Sequence, residues 1–193
     1  MHLKKPEGFS WMNEPRKWEI KEGKLFVHTQ SKTDFWRRTQ YGFIRDNGHF
    51  WYINQQGDTE ISVKITGEYK DLYDQAGIML RIDDENWVKA GVEFVGGVQQ
   101  ASAVVTRTFS DWSVISLSDN PASLWIKVKR GADYVEISYS RDSVHFQLQR
   151  LAYFPPSSEF FIGLMAASPD GDGFEVVFDD FQIFRLPMPR AGE

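Results

Sequence analysis

Cysteine is absent from this chain of 193 residues, which excludes a disulfide framework and a thiolate nucleophile. No Asn-x-Ser/Thr acceptor for N-glycosylation occurs either. No apolar run approaches the roughly 20 residues that a membrane helix needs. The opening stretch MHLKKPEGFSWMNEP has two lysines but lacks the apolar core of a signal peptide. Cations are too few and too scattered for a basic stripe, and the net charge is −5, which argues against nucleic acid as a partner. A basic amphipathic segment for a membrane surface is missing as well. The four histidines, His2, His28, His49 and His145, show no zinc-binding spacing. There is no Gly-rich phosphate loop and no Gly-x-Ser-x-Gly elbow. These absences lead to the expectation of a cytoplasmic protein with no cofactor, no metal, no nucleic acid and no membrane partner.

What is present is a regular alternation of apolar and polar residues. Hydrophobic residues make up 41% of the chain, enough to fill a core, and aromatics reach 15%, which suits half-buried pleated surfaces. In residues 59–66, Ile61, Val63 and Ile65 fall on one face, with Glu60, Ser62 and Lys64 on the other. Residues 124–130 set Ile126 and Val128 against Trp125, Lys127 and Lys129. Residues 134–140 set Val135, Ile137 and Tyr139 against Glu136, Ser138 and Ser140. A period of two over such lengths predicts strands buried on one face. Turn chemistry agrees: Glu22-Gly23, Asn47-Gly48, Gly96-Gly97 and Arg130-Gly131 each separate two strand-like runs and read as hairpins. The helix candidates, residues 70–75 and 157–161, are too short to exceed a turn. The expectation is an all-β chain of about twelve to fourteen strands. Pro155-Pro156-Ser157-Ser158 is the best linker candidate, but the apolar runs 160–167 and 174–184 after it could not form a core alone. Residues 1–193 are therefore read as a single β-sandwich domain with a frayed tail at 187–193.

Four segments, in order, carry a family resemblance: Thr33-Asp34-Phe35-Trp36-Arg37-Arg38-Thr39, Tyr73-Asp74-Gln75-Ala76-Gly77-Ile78-Met79-Leu80-Arg81, Trp87-Val88-Lys89-Ala90-Gly91-Val92-Glu93 and Ser110-Asp111-Trp112-Ser113. With the closing run 174–183 they cover nearly the whole chain, which resembles the domain-of-unknown-function 1349 family, also labelled "regulation of enolase". The resemblance implies a two-sheet antiparallel jelly-roll β-sandwich of the concanavalin A-like kind, a fold that often binds or cleaves sugars. It implies no established activity, and fold does not fix function. The chain is also similar to accessory domains of xylan-degrading enzymes, through Asp74-Gln75-Ala76-Gly77 and the hairpin Tyr139-Ser140-Arg141-Asp142-Ser143. Those domains carry Gly where Ser143 stands, which weakens the case for a left-handed turn residue there.

Candidate site residues follow from residue types on shared strand faces. In residues 87–94, Val88, Ala90, Val92 and Phe94 read as a core face, and Trp87, Lys89, Gly91 and Glu93 form the other. If the preceding strand pairs with it around residues 83–86, Met79 and Arg81 join that second face. The bland alternative is a solvated cross-strand ion pair of little energetic weight. Asp34, Trp36 and Arg37 form another cluster, Asp111 and Trp112 a third, and Gln75 lies in the second family-like segment. Tryptophan faces stack on sugar rings while acids accept hydroxyl hydrogen bonds, whereas Trp36 and Trp112 could equally plug the ends of a sandwich. The expected ligand site is thus Asp34, Trp36, Arg37, Gln75, Arg81, Trp87, Lys89, Glu93, Asp111 and Trp112, converging on one concave sheet. The expected ligand is a glycan or another small polyhydroxylated molecule.

Hydrolysis of a glycoside would need two carboxyls at a set separation. Gly91 and Val95 flank Glu93 at a spacing of two, so only cross-strand pairs remain: Glu93 with Asp34 or with Asp111. A hydrolase built on them is the alternative to a non-catalytic recognition domain, and a protein-interaction module is a third reading. Asp170-Gly171-Asp172-Gly173 lacks the further acids of a calcium loop and reads as two Asp-Gly turns. Asp179-Asp180 reads as charge on an exposed sheet edge.

Overall fold

The computed structural model describes residues 7–186, so the expected fraying of 187–193 lies outside the described residues. Among the described residues there are sixteen strands and no helix. One sheet runs in the order β1 (Ser10–Met12), β6 (His49–Gln55), β15 (Phe160–Ala167), β8 (Gln75–Arg81), β9 (Asn86–Val95), β10 (Val98–Arg107) and β11 (Phe109–Leu117). The second runs β14 (Gln147–Tyr153), β13 (Tyr134–Ser140), β12 (Leu124–Arg130), β7 (Thr59–Gly67), β16 (Glu175–Arg185), β3 (Lys24–His28) and β2 (Lys17–Lys21). A short hairpin, β4 (Phe35–Arg37) and β5 (Ile44–Asp46), stands apart from both. The strands beyond the expected number include β1, β4 and β5, each three residues long, too short to show a period of two.

The chain is an antiparallel β-sandwich. Ile61, Val63 and Ile65 of β7, Ile126 and Val128 of β12, and Val135 and Ile137 of β13 meet Ile78 and Leu80 of β8 and Val88, Ala90 and Val92 of β9 in one apolar cluster. Alternation alone puts them there, and each such Val, Leu or Ile side chain contributes about 1.5–3 kcal/mol by leaving water. The Pro-rich stretch carries the chain from β14 in one sheet to β15 in the other, and Phe154 and Phe160 on either side of it both enter that cluster.

Three local expectations meet the structure, and two of them are corrected. β16 lies between β7 and β3, but its pairing with β3 ends at Phe178, so Asp179 and Asp180 sit where that side of the strand has no ladder partner. The pair sits at a bulge, with Asp180 at φ 48° and Asp179 bonded to Lys24 at 3.0 Å, so the charges leave the ladder locally. Asn47-Gly48 does not close a hairpin, because β5 pairs with β4 while β6 pairs with β1 and β15. Gly48 serves close approach instead: a Cβ there would lie 2.3 Å from the Phe35 ring. Ser143 does take the left-handed conformation, at φ 64°, while Asp142 accepts backbone hydrogen bonds from Val144 and His145 and holds the turn.

Candidate functional site

Strand alternation sends Gln75, Gly77, Met79 and Arg81 of β8, and Trp87, Lys89, Gly91 and Glu93 of β9, to the face of the first sheet that points away from the core. Register sets Gln75 opposite Glu93, Met79 opposite Lys89 and Arg81 opposite Trp87. This face is not simply solvated. A second apolar cluster of Phe35, Phe50, Met79, Trp87, Val104 and Met165 covers one end of it. Phe35 comes from the β4–β5 hairpin and meets Trp87 edge-on at 6.3 Å.

Three cations fasten the hairpin. Arg81 donates both terminal nitrogens to Asp46, at 2.6 and 2.7 Å, in a two-pronged pair. Arg37 donates to Glu85 and to the Thr108 carbonyl, and lies 3.5 Å from Asp84. The Lys89 ammonium donates to the Phe35 carbonyl at 2.8 Å and to Gln75 Oε1, with Asp34 3.7 Å away.

Beyond the hairpin the same face opens into a cleft of about 230 Å³. Gln75, Lys89 and Glu93 form its floor with Asp34, while Trp36, Tyr41, Phe43, Arg45, Tyr73, Trp112, Pro169 and Asp170 form its walls. Gly77 faces Gly91 in the register, so no side chain rises from the sheet between Lys89 and Glu93. Glu93 Oε2 accepts hydrogen bonds from the Ser102 hydroxyl at 2.7 Å and from the Trp112 indole N–H at 2.8 Å. Burial pushes the Glu93 carboxyl above the usual carboxylate range, against the opposing pull of Lys89, Ser102 and Trp112.

The walls are held as firmly as the floor. The Trp36 indole donates to the Thr39 carbonyl at 2.9 Å, and Tyr41 lies between Trp36 and Phe43, its ring stacked on the latter at 5.3 Å. Tyr73, at φ 67°, stands across the mouth, where a hydrogen bond with Tyr41, then burial, pushes its hydroxyl up to about 12. The fully buried Asp74 fixes that loop: its carboxylate accepts from the Lys70 and Asp71 backbone N–H groups and from the Ser168 hydroxyl, next to Pro169.

The expected convergence divides in two. Asp34, Trp36, Gln75, Lys89, Glu93 and Trp112 share the cleft. Arg37, Arg81 and Trp87 do not line it: each is buried under or within the hairpin attachment, Trp87 with 1% of its surface exposed. Asp111 is also outside it. It is opposite Val105, a core-facing residue, while its neighbour Trp112 is opposite Val104 on the outer face. Consecutive strand residues point to opposite faces, so Asp111 reaches Arg150 of the other sheet, at 2.9 Å, instead of Glu93. The pairing of Glu93 with Asp111 is therefore geometrically excluded. Sequence reasoning missed Tyr41, Phe43 and Pro169, which lie in irregular stretches, and Arg45, whose strand β5 is too short to show a periodicity. Tyr73 and Asp170 were within quoted segments but had no strand face to mark them. No group of three or more His, Cys, Asp or Glu gathers as a metal site would among the described residues.

Known proteins share this architecture. The family described as "protein of unknown function (DUF1349)" matches residues 11–185. "Regulation of enolase protein 1" of Saccharomyces cerevisiae is 40% identical over 182 residues, which make up 94% of this chain and 91% of that protein. The crystal structure of a functionally unknown protein from Saccharomyces cerevisiae superposes with a TM-score of 0.89 at 38% identity, covering 93% of this chain and 97% of that one. The carbohydrate-binding module CBM66 from Bacillus subtilis superposes at 0.57 with 15% identity, over 91% of this chain and 94% of the module, a likeness of fold alone.

Proposed function

The chain belongs to the DUF1349 family, whose description names no activity, and from its cleft we propose a non-catalytic recognition domain for a carbohydrate or polyhydroxylated metabolite. One observation carries this reading: a buried, fixed carboxyl group, Glu93, at the floor of a cleft walled by Trp36, Tyr73 and Trp112. The Lys89 ammonium is already occupied by Phe35, Gln75 and Asp34, so its work is internal: it ties hairpin to floor. What faces the cleft is a set of hydrogen-bonding groups, the Arg45 guanidinium among them, beneath aromatic faces. Hydroxyl groups on a ring with an apolar face answer both. The sandwich likeness to a carbohydrate-binding module supports the same ligand class. Calorimetric titration with a panel of neutral sugars and sugar alcohols tests the proposal. At least one should bind, and Trp36→Ala should weaken that binding by about 1–3 kcal/mol, the scale of a large aromatic contact. A panel with no binder, or binding indifferent to Trp36→Ala, overturns it.

The raised Glu93 pKa favours a second reading, because a carboxyl held toward its protonated form is what a general acid needs. Against it, Asp34 accepts from Phe35 N and Gln75 and sits beside Lys89, which leaves it poorly placed to activate water. Turnover of a glycoside by the wild type that Glu93→Gln abolishes with binding intact would replace the first reading by this one. The name of the yeast relative supports a protein partner as a further reading.

A further inference from the structure

We propose that the ligand is a neutral oligosaccharide whose chain leaves the cleft between Trp36 and Trp112 and continues along a second, outer groove; this rests on the recognition reading above. The inner cleft, at about 230 Å³, is smaller than the roughly 300 Å³ at which sites for drug-sized ligands begin. It has room for one small ring. Trp36 and Trp112 line it, and both also line a broader open hollow of about 760 Å³, with Gln40, Arg107, Phe109 and Asp111 around it. The two hollows therefore meet at the tryptophan pair.

The outer groove lies along a sheet edge, because among the described residues β11 is the last strand of its sheet. Trp112 cannot swing freely to close the passage, since its indole N–H is bonded to both Glu93 and Ser102. Phe109 is on the other face of β11 from Trp112, so the groove turns around the edge strand there, and Phe109 keeps 56% of its surface exposed. A single exposed apolar side chain needs no explanation, but this one lies in a groove that two tryptophans already share.

Charge selects the class of chain. Asp111 is paired with Arg150 at 2.9 Å, Arg107 lies over the Tyr153 ring at 5.4 Å, and Arg38 lies over Phe109 at 5.8 Å. A ring beneath an arginine leaves its charge in place, but the groove's own lining holds one cation, Arg107, and one anion, Asp111, so neither a polyanion nor a polycation gains much by entering. Flat aromatic surface is what remains, and it suits successive uncharged sugar rings.

The test uses matched series from mono- to tetrasaccharide of xylose, glucose, galactose and fructose, titrated into the full chain. For the sugar that binds, the longer members should bind at least about tenfold tighter than the single ring. Phe109→Ala should remove most of that gain without changing the melting temperature, since the side chain packs little. Equal affinity along the series, or a chain-length gain that survives Phe109→Ala, overturns the inference and leaves the recognition reading standing. Tighter binding of oligogalacturonate than of any neutral series overturns the neutral assignment. No binding by any member overturns both.

Discussion

Strands β8 and β9 offer one continuous face, and its two ends have opposite fates. At the end with Arg81 and Trp87, the β4–β5 hairpin lies down on the sheet, Phe35 packs on Trp87, and Asp46 and Glu85 neutralise Arg81 and Arg37. At the end with Gln75 and Glu93, the hairpin stands off, and its aromatic residues become the wall of a cleft. Residues that look alike in sequence thus do different work. Tryptophan and arginine at the first end hold the wall in place; tryptophan and glutamate at the second line the space behind it. What decides between them is whether another element lands on top.

Substitutions at the sealed end should therefore cost stability, and those at the open end should not. The largest effect is expected for Trp87→Ala, which empties a fully buried site beneath the hairpin. Chemical denaturation should show a loss of about 3–5 kcal/mol. A loss under about 1 kcal/mol would mean that the hairpin does not seal this end. Asp46→Ala should come next, because it strands the buried Arg81 guanidinium. The loss should be about 2–3 kcal/mol, less than the roughly 3–5 of a fully buried pair, since the Asp46 side chain is 34% exposed. Replacing both partners, as Arg81→Met with Asp46→Ala, should recover much of it, and a double variant as weak as the single one would contradict this account of the pair.

The smallest effect carries the opposite sign. The folded-state pKa of Glu93 is raised, so the stability this group contributes is complete below its ordinary value of 4.5 and is lost as the pH rises through the folded value. At neutral pH the buried charge is thus a burden that glutamine lacks, while glutamine can still accept from Ser102 and Trp112. Glu93→Gln should be more stable than the wild type at pH 7, by under about 1 kcal/mol, and should match it near pH 4. His49, whose imidazole burial holds below its usual range, titrates alike in both proteins and cancels in the difference. A variant less stable than the wild type at pH 7 would show that Glu93 is structural.

Much of the sandwich was legible because period-two alternation is a local signal. Ile61, Val63 and Ile65, or Val88, Ala90 and Val92, assign their own faces. The core of the site was legible for the same reason: Lys89 and Glu93 are three and seven residues beyond the inferable turn at 83–86, on the non-core face. What was not legible depends on packing between distant segments. Nothing local says that residues 35–46 fold back over Trp87, or that Tyr41 reaches Tyr73. The misplacement of Asp111 is different in kind. Its neighbour Trp112 is on the cleft face, so alternation within β11 already excluded both from one site. The Asn47-Gly48 reading failed because glycine there makes room for the Phe35 ring, a need that a turn signature cannot reveal.

The most direct test of the central claim, that one end of this face binds and the other only supports, is an indole N–H spectrum recorded while a neutral oligosaccharide is titrated in. Each tryptophan gives its own signal, assigned by single Trp→Phe substitutions. The account predicts that the Trp36 and Trp112 signals shift together and saturate at one ligand concentration, while that of Trp87, beneath the hairpin, stays in place. A saturable shift confined to tryptophans elsewhere, or one in which Trp87 moves as far as Trp112, would contradict it.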